Sequence, residues 1–272
     1  MQPGRPSRTA LGAAFHRAAH QVLEGGSVFA DPLSLRILGV DAAGAVRPGA
    51  EDPATRRLRL FIAVRTRFAE DAVAAAAAGG VTQLVVLGAG LDTFACRSPL
   101  SRILRVFEVD HPDTQAWKRR RLAEAEIPVP PGLVFVPVDF EGETLAGALG
   151  ASGFDPRRQT FFTWLGVVPY LSEEVVFSTL GFMAGLQGGA QVVFDYANPG
   201  QEDTGLAERV AAAGEAFRTR FVTGALHARL AALGFGDIED LGPAGIRERY
   251  FPGRGGPVPA TGGHVLWAAA RN

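Results

Sequence analysis

The stretch from Gln83 to Asp110 constrains the fold most, because two apolar runs in it are separated by a glycine turn. The first run, Leu84 to Leu87, ends in Gly88-Ala89-Gly90, and the second, Ile103 to Val109, ends in Asp110. This order is typical of a strand, a glycine turn, a helix and a neighbouring parallel strand. Glycines let a ligand approach the backbone because they have no β-carbon. A carboxylate at the end of the second strand accepts hydrogen bonds from ribose hydroxyls. The stretch therefore predicts a nucleoside-binding half-site.

The same turn departs from the dinucleotide-binding pattern. In G-x-G-x-x-G, the third glycine packs the helix against the sheet, and a pyrophosphate lies at the helix N-terminus. Thr93 occupies the third glycine position here, and Asp92 places a negative charge where the pyrophosphate would lie. A carboxylate at this place suits a ligand with a positive group, such as the sulfonium and α-amino groups of S-adenosylmethionine. A purely steric turn is the alternative, but the glycines, Asp92 and Asp110 together favour binding.

Apolar runs and helical patterns alternate through the rest of the chain. This alternation predicts an α/β fold with a seven-stranded, mostly parallel sheet covered by helices on both faces. The last strand is expected to pair antiparallel. The predicted strands are 83–88, 103–109, 133–138, 160–165, 190–196, 236–241 and 264–270. The predicted helices between them are 92–100, 112–126, 143–151, 172–187 and 203–233, the last broken near Gly224, and a loop is expected from Gly242 to Gly263.

The N-terminal part differs in pattern from the rest of the chain. Short helical patterns at 10–23 and 33–39 are separated by glycine pairs and by Asp31-Pro32. We expect residues 1–54 to form a helical cap or lid. A long helix is predicted over 55–78, and it opens the second predicted domain, 55–272.

Composition excludes several functional classes. The net charge of −1 gives no broad attraction to nucleic acid or to an anionic membrane. The single cysteine, Cys96, excludes an intramolecular disulfide and a thiolate metal cluster. No apolar run has the length of a membrane span or the form of a signal peptide, so a cytoplasmic protein is expected. The basic run from Lys118 to Arg121 is interpreted as a solvated helix face rather than a nucleic-acid site.

Several ordered motifs resemble the leucine carboxyl methyltransferase family, which includes bacterial O-methyltransferases. The resemblance runs from about Thr55 to Leu180. It implies a Rossmann-like class I methyltransferase fold, with S-adenosylmethionine as the methyl donor and S-adenosylhomocysteine as the product. The segments that carry it are Ala63 to Asp71, Leu87 to Thr93, Phe107 to Pro112 with Lys118 to Leu122 behind it, Val136 to Phe140, and Trp164 to Leu171.

The resemblance also implies roles for single residues. Arg65 would contact the methionyl carboxylate of the cofactor in a charge-assisted pair. Asp110 would bind the ribose, and Asp139 with Phe140 would flank the adenine. A surface charge is the alternative for Arg65, and a helix cap is the alternative for Asp139. The full set of predicted cofactor-binding residues is Arg65, Gly88, Ala89, Gly90, Asp92, Asp110, His111, Asp139, Phe140 and Leu165.

One position departs from the family pattern. Many members carry a glutamate where this chain has Leu165, and leucine cannot accept a hydrogen bond. The contact is then absent, or is supplied by Thr163, Trp164 or the backbone. Tyr170 matches the family tyrosine and is the predicted catalytic residue, facing the methyl-transfer region. Aromatic packing at a helix start is its alternative role.

The expected reaction is O-methylation of a carboxylate or a hydroxyl of a small metabolite such as a polyketide. A carboxylate acceptor needs no general base, whereas a hydroxyl would use one. None of the histidines is assigned as that base, and His16 with His20 is interpreted as surface or lid packing rather than a metal site. A nicotinamide-dependent reductase and a non-catalytic cofactor-binding protein remain as alternatives. The oligomeric state, monomer or homodimer, is left open.

Overall fold

The computed structural model describes residues 7–139, 143–199, 217–253 and 263–270. Seven strands form one sheet in the order β3-β2-β1-β4-β5-β7-β6, in which β7 is antiparallel to both of its neighbours. The predicted α/β class, the seven strands and the antiparallel last strand are confirmed. The strands are β1 (Gln83–Leu87), β2 (Arg105–Asp110), β3 (Leu133–Pro137), β4 (Thr160–Trp164), β5 (Ala190–Ala197), β6 (Phe235–Leu241) and β7 (Gly263–Ala270).

Helices cover both faces of the sheet. Successive strand residues point to opposite sides, and the side chains on both sides are apolar and buried. In β1, Val85 and Leu87 belong to one buried cluster, and Leu84 and Val86 belong to the other. The first cluster includes side chains of α7, α8 and α9, and the second includes side chains of α4, α5 and α10. The helices of the described residues are α1 (Arg8–Leu23), α2 (Ser34–Leu38), α3 (Ala42–Ala45), α4 (Pro53–Ala78), α5 (Phe94–Arg97), α6 (Pro112–Glu124), α7 (Leu145–Ala151), α8 (Glu173–Ala184), α9 (Thr223–Ala232) and α10 (Pro243–Tyr250), with 3-10 turns at Pro99–Arg102 and Val168–Tyr170.

The single helix predicted over 92–100 is wrong. Two short elements replace it, α5 and the 3-10 turn Pro99–Arg102. Ser98 between them is extended, as expected for a residue before proline, and the proline has no N–H to continue the helix. As a consequence β2 begins at Arg105, two residues later than predicted.

Three other local predictions need correction. The loop expected from Gly242 to Gly263 contains α10, which begins at a proline in its first turn, a position that tolerates the missing N–H. The short helix α3, capped by Asp41, was not predicted. Residues 217–222 of the helix predicted over 203–233 are not helical, and α9 begins at Thr223. Residues 203–216 of that helix lie outside the described residues.

Candidate active site

A cavity of about 1080 Å³ opens at the carboxyl edge of the parallel strands, where ligands bind in open α/β sheets. Residues of α1, α4 and the segments following β1, β4 and β5 line it. Eight of the predicted site residues contribute to this lining: Arg65, Gly88, Ala89, Gly90, Asp92, Asp110, Leu165 and Tyr170.

The glycine turn forms one wall of the cavity. The amides of Gly88 and Ala89 donate to the Val109 carbonyl at 2.9 and 3.1 Å, which fixes the turn against the end of β2. Gly88 has a φ of +63°, and a β-carbon there would lie 2.4 Å from Cγ2 of Val167. The turn therefore needs glycine at this position for its conformation and for the close approach of Val167.

Asp110 lies at the carboxyl end of β2, as predicted, with its carboxylate held by two backbone amides. Gly90 N donates to Oδ2 at 2.6 Å, and His111 N donates to Oδ1 at 2.7 Å. Burial raises the pKa of this carboxyl above its ordinary value and outweighs the two hydrogen bonds, which lower it. Each oxygen keeps acceptor capacity beyond its one bond, as a ribose diol requires.

Asp92 lines the same wall and also has a local structural role. Its Oδ1 accepts a hydrogen bond from Phe94 N at 2.7 Å at the start of α5. The side chain is half-buried. The turn thus carries two carboxylates, Asp92 and Asp110, which is an unfavourable environment for a pyrophosphate and a favourable one for a cationic ligand.

Arg65 lies at the opposite side of the cavity, on α4, and is paired with a carboxylate that the sequence reasoning missed. Its Nη1 donates to Oδ2 of Asp195 at 2.8 Å, and Gly166 N donates to Oδ1 of Asp195 at 2.5 Å. Asp195 is almost fully buried near the end of β5 and also lines the cavity. A signal for it was available, because a charged residue close to the carboxyl end of a predicted parallel strand is a candidate ligand contact.

Leu165 packs against the core on the α4 side of the sheet and lines the cavity. Its neighbour Gly166 bonds to Asp195. The carboxylate close to the position of the family glutamate therefore comes from the next strand. The substitutes predicted for it, Thr163 and Trp164, differ in position: Thr163 lines the cavity and Trp164 is buried in the core.

Tyr170 ends the 3-10 turn that follows β4. Its ring lies 5.4 Å from the ring of Phe217, centroid to centroid, and both line the cavity. Arg218 N donates to Pro169 O at 2.7 Å, which fixes the segment around Phe217 beside Tyr170. Phe217 and Arg218 were not predicted as site residues. They follow β5 along the chain and come to the cavity only through the tertiary fold.

Two predicted cofactor contacts lie outside the described cavity lining, and a third falls on an undescribed residue. His111 precedes α6 as its N-cap, where its Nδ1 accepts from Asp113 N at 3.2 Å. Asp139 is exposed, and its amide donates to Glu143 Oε2 at 2.9 Å. Phe140 lies outside the described residues.

The basic run on α6 is only partly solvated, which corrects its interpretation as a solvated face. Lys118 falls on the buried stripe of α6 between Thr114 and Leu122. Its Nζ donates to Oε2 of Glu108 at 2.5 Å, and both side chains are 1% exposed. Burial raises the pKa of Glu108 to about 7, although Lys118 lowers it. Glu108 belongs to β2, the strand that ends in Asp110, and Lys118 reaches it from α6.

Helix α1 lies over the glycine turn. Cβ of Ala10 is 3.0 Å from the place where a β-carbon of Gly90 would be, and Arg17 Nη2 donates to the Leu91 carbonyl. His16 lines the cavity, whereas His20 is fully buried with Nδ1 3.2 Å from Glu24 Oε2. The two histidines therefore face different surroundings, and only the first borders the cavity.

The family model described as "Leucine carboxyl methyltransferase" matches residues 10–184. The chain belongs to the leucine carboxyl methyltransferase family. Among its relatives, a Bacillus subtilis protein named "Putative S-adenosyl-L-methionine-dependent methyltransferase YktD" is 37% identical over 185 residues, which cover 64% of this chain and 60% of that protein. A Frankia alni protein with the same description is 35% identical over 186 residues, covering 66% of this chain and 64% of that protein. The chain thus spans less than two thirds of the length of either relative.

A solved structure supports the fold assigned to this leucine carboxyl methyltransferase family member. The crystal structure of a protein from Thermobifida fusca YX, described as a "putative methyltransferase", aligns with a TM-score of 0.55 at 18% identity. The alignment covers 99% of this chain and 96% of that one. The family match and this alignment confirm the predicted class I methyltransferase fold. In the described residues, no helix is long and apolar enough to cross a membrane.

Proposed function

We propose that this chain is an S-adenosylmethionine-dependent O-methyltransferase that acts on a carboxylate or a hydroxyl of a small metabolite. One observation carries the proposal: the glycine turn, Asp110 and Arg65 line a single cavity together with Tyr170. The names of the Bacillus and Frankia relatives support the cofactor class.

The residues of the cavity fit the cofactor. Asp110 would hold the ribose, because its carboxylate is fixed by two amides and retains acceptor capacity. Arg65 would hold the methionyl carboxylate. Its Nη1 donates to Asp195, while its buried Nε has no hydrogen-bond partner among the described residues. A buried donor without a partner is costly, and a carboxylate ligand would satisfy it.

When bound, S-adenosylmethionine would supply an electrophilic methyl group: the acceptor oxygen would bond to the methyl carbon in line as the carbon–sulfur bond breaks, and S-adenosylhomocysteine would leave as the thioether. The protein then has to align the acceptor and exclude water. Tyr170, Phe217 and Phe61 give the cavity aromatic walls that suit an apolar acceptor body. Arg8 and Arg218 bring positive charge to the same lining, which favours an acceptor carboxylate. An ionised carboxylate is already a nucleophile and needs no base from the protein.

Calorimetry and turnover separate this proposal from its alternatives. The expected result is binding of S-adenosylmethionine and S-adenosylhomocysteine and no binding of NAD; the reverse preference would support a nicotinamide-dependent reductase. Methyl transfer to at least one of a panel of aromatic carboxylic acids, aliphatic carboxylic acids and phenols is expected next. Tight cofactor binding with no turnover on any of them would favour the non-catalytic alternative. A cytoplasmic location remains a prediction.

We also propose that residues 1–54 act as a cap over the cofactor, joined to the domain that spans 55–272. The contact of Ala10 with Gly90 and the bond from Arg17 to Leu91 O support this. Replacing Arg17 by methionine keeps much of the apolar stem but removes the bond to Leu91 O, together with the 3.5 Å ion pair between Arg17 Nε and the buried Asp31. Turnover is expected to fall several-fold in Arg17→Met, and wild-type turnover in the folded variant would argue against the cap.

A further inference from the structure

Asp195 joins three parts of the fold at one end of the cavity. It belongs to β5, it accepts from Gly166 in the segment after β4, and it accepts from Arg65 on α4. The residue is 4% exposed and belongs to the cavity lining. Each of its carboxylate oxygens has one described hydrogen bond, and an ionised carboxylate has about four acceptor positions. Asp195 therefore retains capacity to accept from a ligand.

Gly166 sets the position of the Arg65 guanidinium. Its φ is +71°, and a β-carbon at this residue would lie 2.5 Å from Nη2 and 3.1 Å from Cζ of Arg65. The guanidinium thus lies directly against the backbone of Gly166, while the amide of the same residue bonds to Asp195. A side chain at position 166 would push the guanidinium away from the carboxylate.

The charges of this end match a zwitterion. Arg65 and Asp195 neutralise each other, and a neutral pair with one cation and one carboxylate can bind a ligand that carries an ammonium next to a carboxylate. No buried charge is then left without a partner. Leu165, in the segment that bonds to Asp195, contributes no charge.

We propose that Asp195 and Gly166 form the receptor for the amino-acid end of the cofactor, with Asp195 as a positioning residue for Arg65 and as the acceptor for the ligand's α-ammonium. This inference rests on the proposed function. Asp195 would take the part that a glutamate at position 165 would otherwise play. A purely structural role, in which the ion pair only ties α4 to the sheet, is the alternative that an experiment has to exclude.

Two ligands that differ only in the amino-acid end make the distinction. S-adenosylhomocysteine carries the α-amino and α-carboxylate groups, whereas 5′-methylthioadenosine has the same adenosine and a thioether but neither charged group. Calorimetry on the full chain is expected to show Asp195→Asn weakening S-adenosylhomocysteine about tenfold or more, which is about 1.4 kcal/mol per factor of ten. The affinity for 5′-methylthioadenosine is expected to change less than about twofold.

A matched control lies on the same helix. Asp71 pairs with Arg67 on the exposed surface of α4, with the two side chains about half exposed. Asp71→Asn removes a carboxylate from an arginine pair that does not line the cavity, and the affinity for either ligand is expected to stay unchanged. Gly166→Ala provides a second variant in case Asp195→Asn fails to fold. It keeps both charges and displaces the guanidinium, so it should reproduce the selective loss of S-adenosylhomocysteine.

The outcomes are distinct. An equal loss of both ligands in the folded Asp195→Asn and Gly166→Ala variants, or an unchanged affinity for S-adenosylhomocysteine, would overturn the inference. If the wild-type chain binds neither ligand, the proposed function itself fails. If the wild-type chain binds both and the variants discriminate between them, the amino-acid receptor is supported.

Discussion

The two ends of the cavity are built in different ways. At the glycine-turn end, defined by Gly88 to Asp92 with Asp110, backbone amides of one short stretch fix the site. At the guanidinium end, defined by Arg65, Gly166 and Asp195, the central contact joins residues 130 positions apart in the chain. The first end is a property of a local motif, and the second exists only once the sheet has assembled. A variant at the first end should affect every adenosine ligand, whereas a variant at the second should affect only ligands with an amino-acid end.

The largest expected effect is at Asp110. Both of its oxygens accept from backbone amides, so Asp110→Asn would turn an NH2 group toward the N–H of Gly90 or His111. We expect S-adenosylhomocysteine and 5′-methylthioadenosine to bind about 100-fold more weakly by calorimetry, a loss of about 2.7 kcal/mol. The neighbouring Asp113→Asn is a control, because the Asp113 side chain is 38% exposed and the residue is not among the cavity-lining residues. If Asp110→Asn weakened only S-adenosylhomocysteine, the proposal that the two ends of the cavity bind different parts of the cofactor would be contradicted.

A smaller effect is expected from crowding the turn itself. Gly88→Ala would place a β-carbon 2.4 Å from Val167 in a left-handed backbone conformation. Gly80, with a φ of +99° and nothing within 4 Å of the place where a β-carbon would be, is the matched control because Gly80→Ala carries the backbone cost alone. That cost is about 1–2 kcal/mol of unfolding free energy by chemical denaturation. Gly88→Ala should lose about 1 kcal/mol more and bind both ligands about tenfold more weakly. Equal behaviour of the two variants would mean that Val167 moves aside freely.

This contrast also explains what the sequence could predict. The turn after β1 and the carboxylate ending β2 were predicted because the signal is local: an apolar run, two glycines and an acidic residue at a fixed spacing. The parallel sheet followed from the alternation of strands and helices, and the antiparallel β7 from the proline- and glycine-rich loop before the last strand. Arg65 was assigned by resemblance, because a single arginine on a long helix has no local sign of what it faces.

The partners of Arg65 were missed for a physical reason. The role of Asp195 depends on the register between β4 and β5, which places Trp164 opposite Phe194 and thus brings the next residues, Leu165 and Asp195, side by side. Lys118 was misinterpreted for a similar reason. Four consecutive basic residues point to all sides of a helix, so the run itself does not tell which one is buried. Only the packing of α6 shows that Lys118 faces inward and pairs with Glu108.

The smallest expected effect is the pH dependence of ligand affinity. At Asp110, acidification is expected to stabilise the fold but to weaken ligand binding, so the two effects have opposite signs. The pKa of Asp110 lies above its ordinary value because burial outweighs the hydrogen bonds from Gly90 and His111. A folded state with a raised carboxyl pKa binds more protons than the unfolded state, so acidification through this window stabilises the fold at Asp110. Protonation nevertheless removes acceptor capacity, so ribose binding should weaken. Affinity for 5′-methylthioadenosine is therefore expected to fall a few-fold as the pH is lowered toward the pKa of Asp110, with no change in Asp110→Asn.

Glu24 supplies the folding reference for the same titration. Burial alone would raise its pKa, but hydrogen bonds from Arg59 and His20 outweigh burial and lower the pKa to about 2. A lowered carboxyl pKa gives stability that is present above the unfolded value of about 4.5 and is lost as the pH falls from there toward 2. Above about pH 5, Glu24 still makes its full contribution to the free energy of unfolding, so a change in affinity measured there does not come from Glu24. Denaturant unfolding at each pH checks that the stability is unchanged. If affinity falls only where unfolding begins, or falls equally in Asp110→Asn, the titrating group is not at the glycine-turn end.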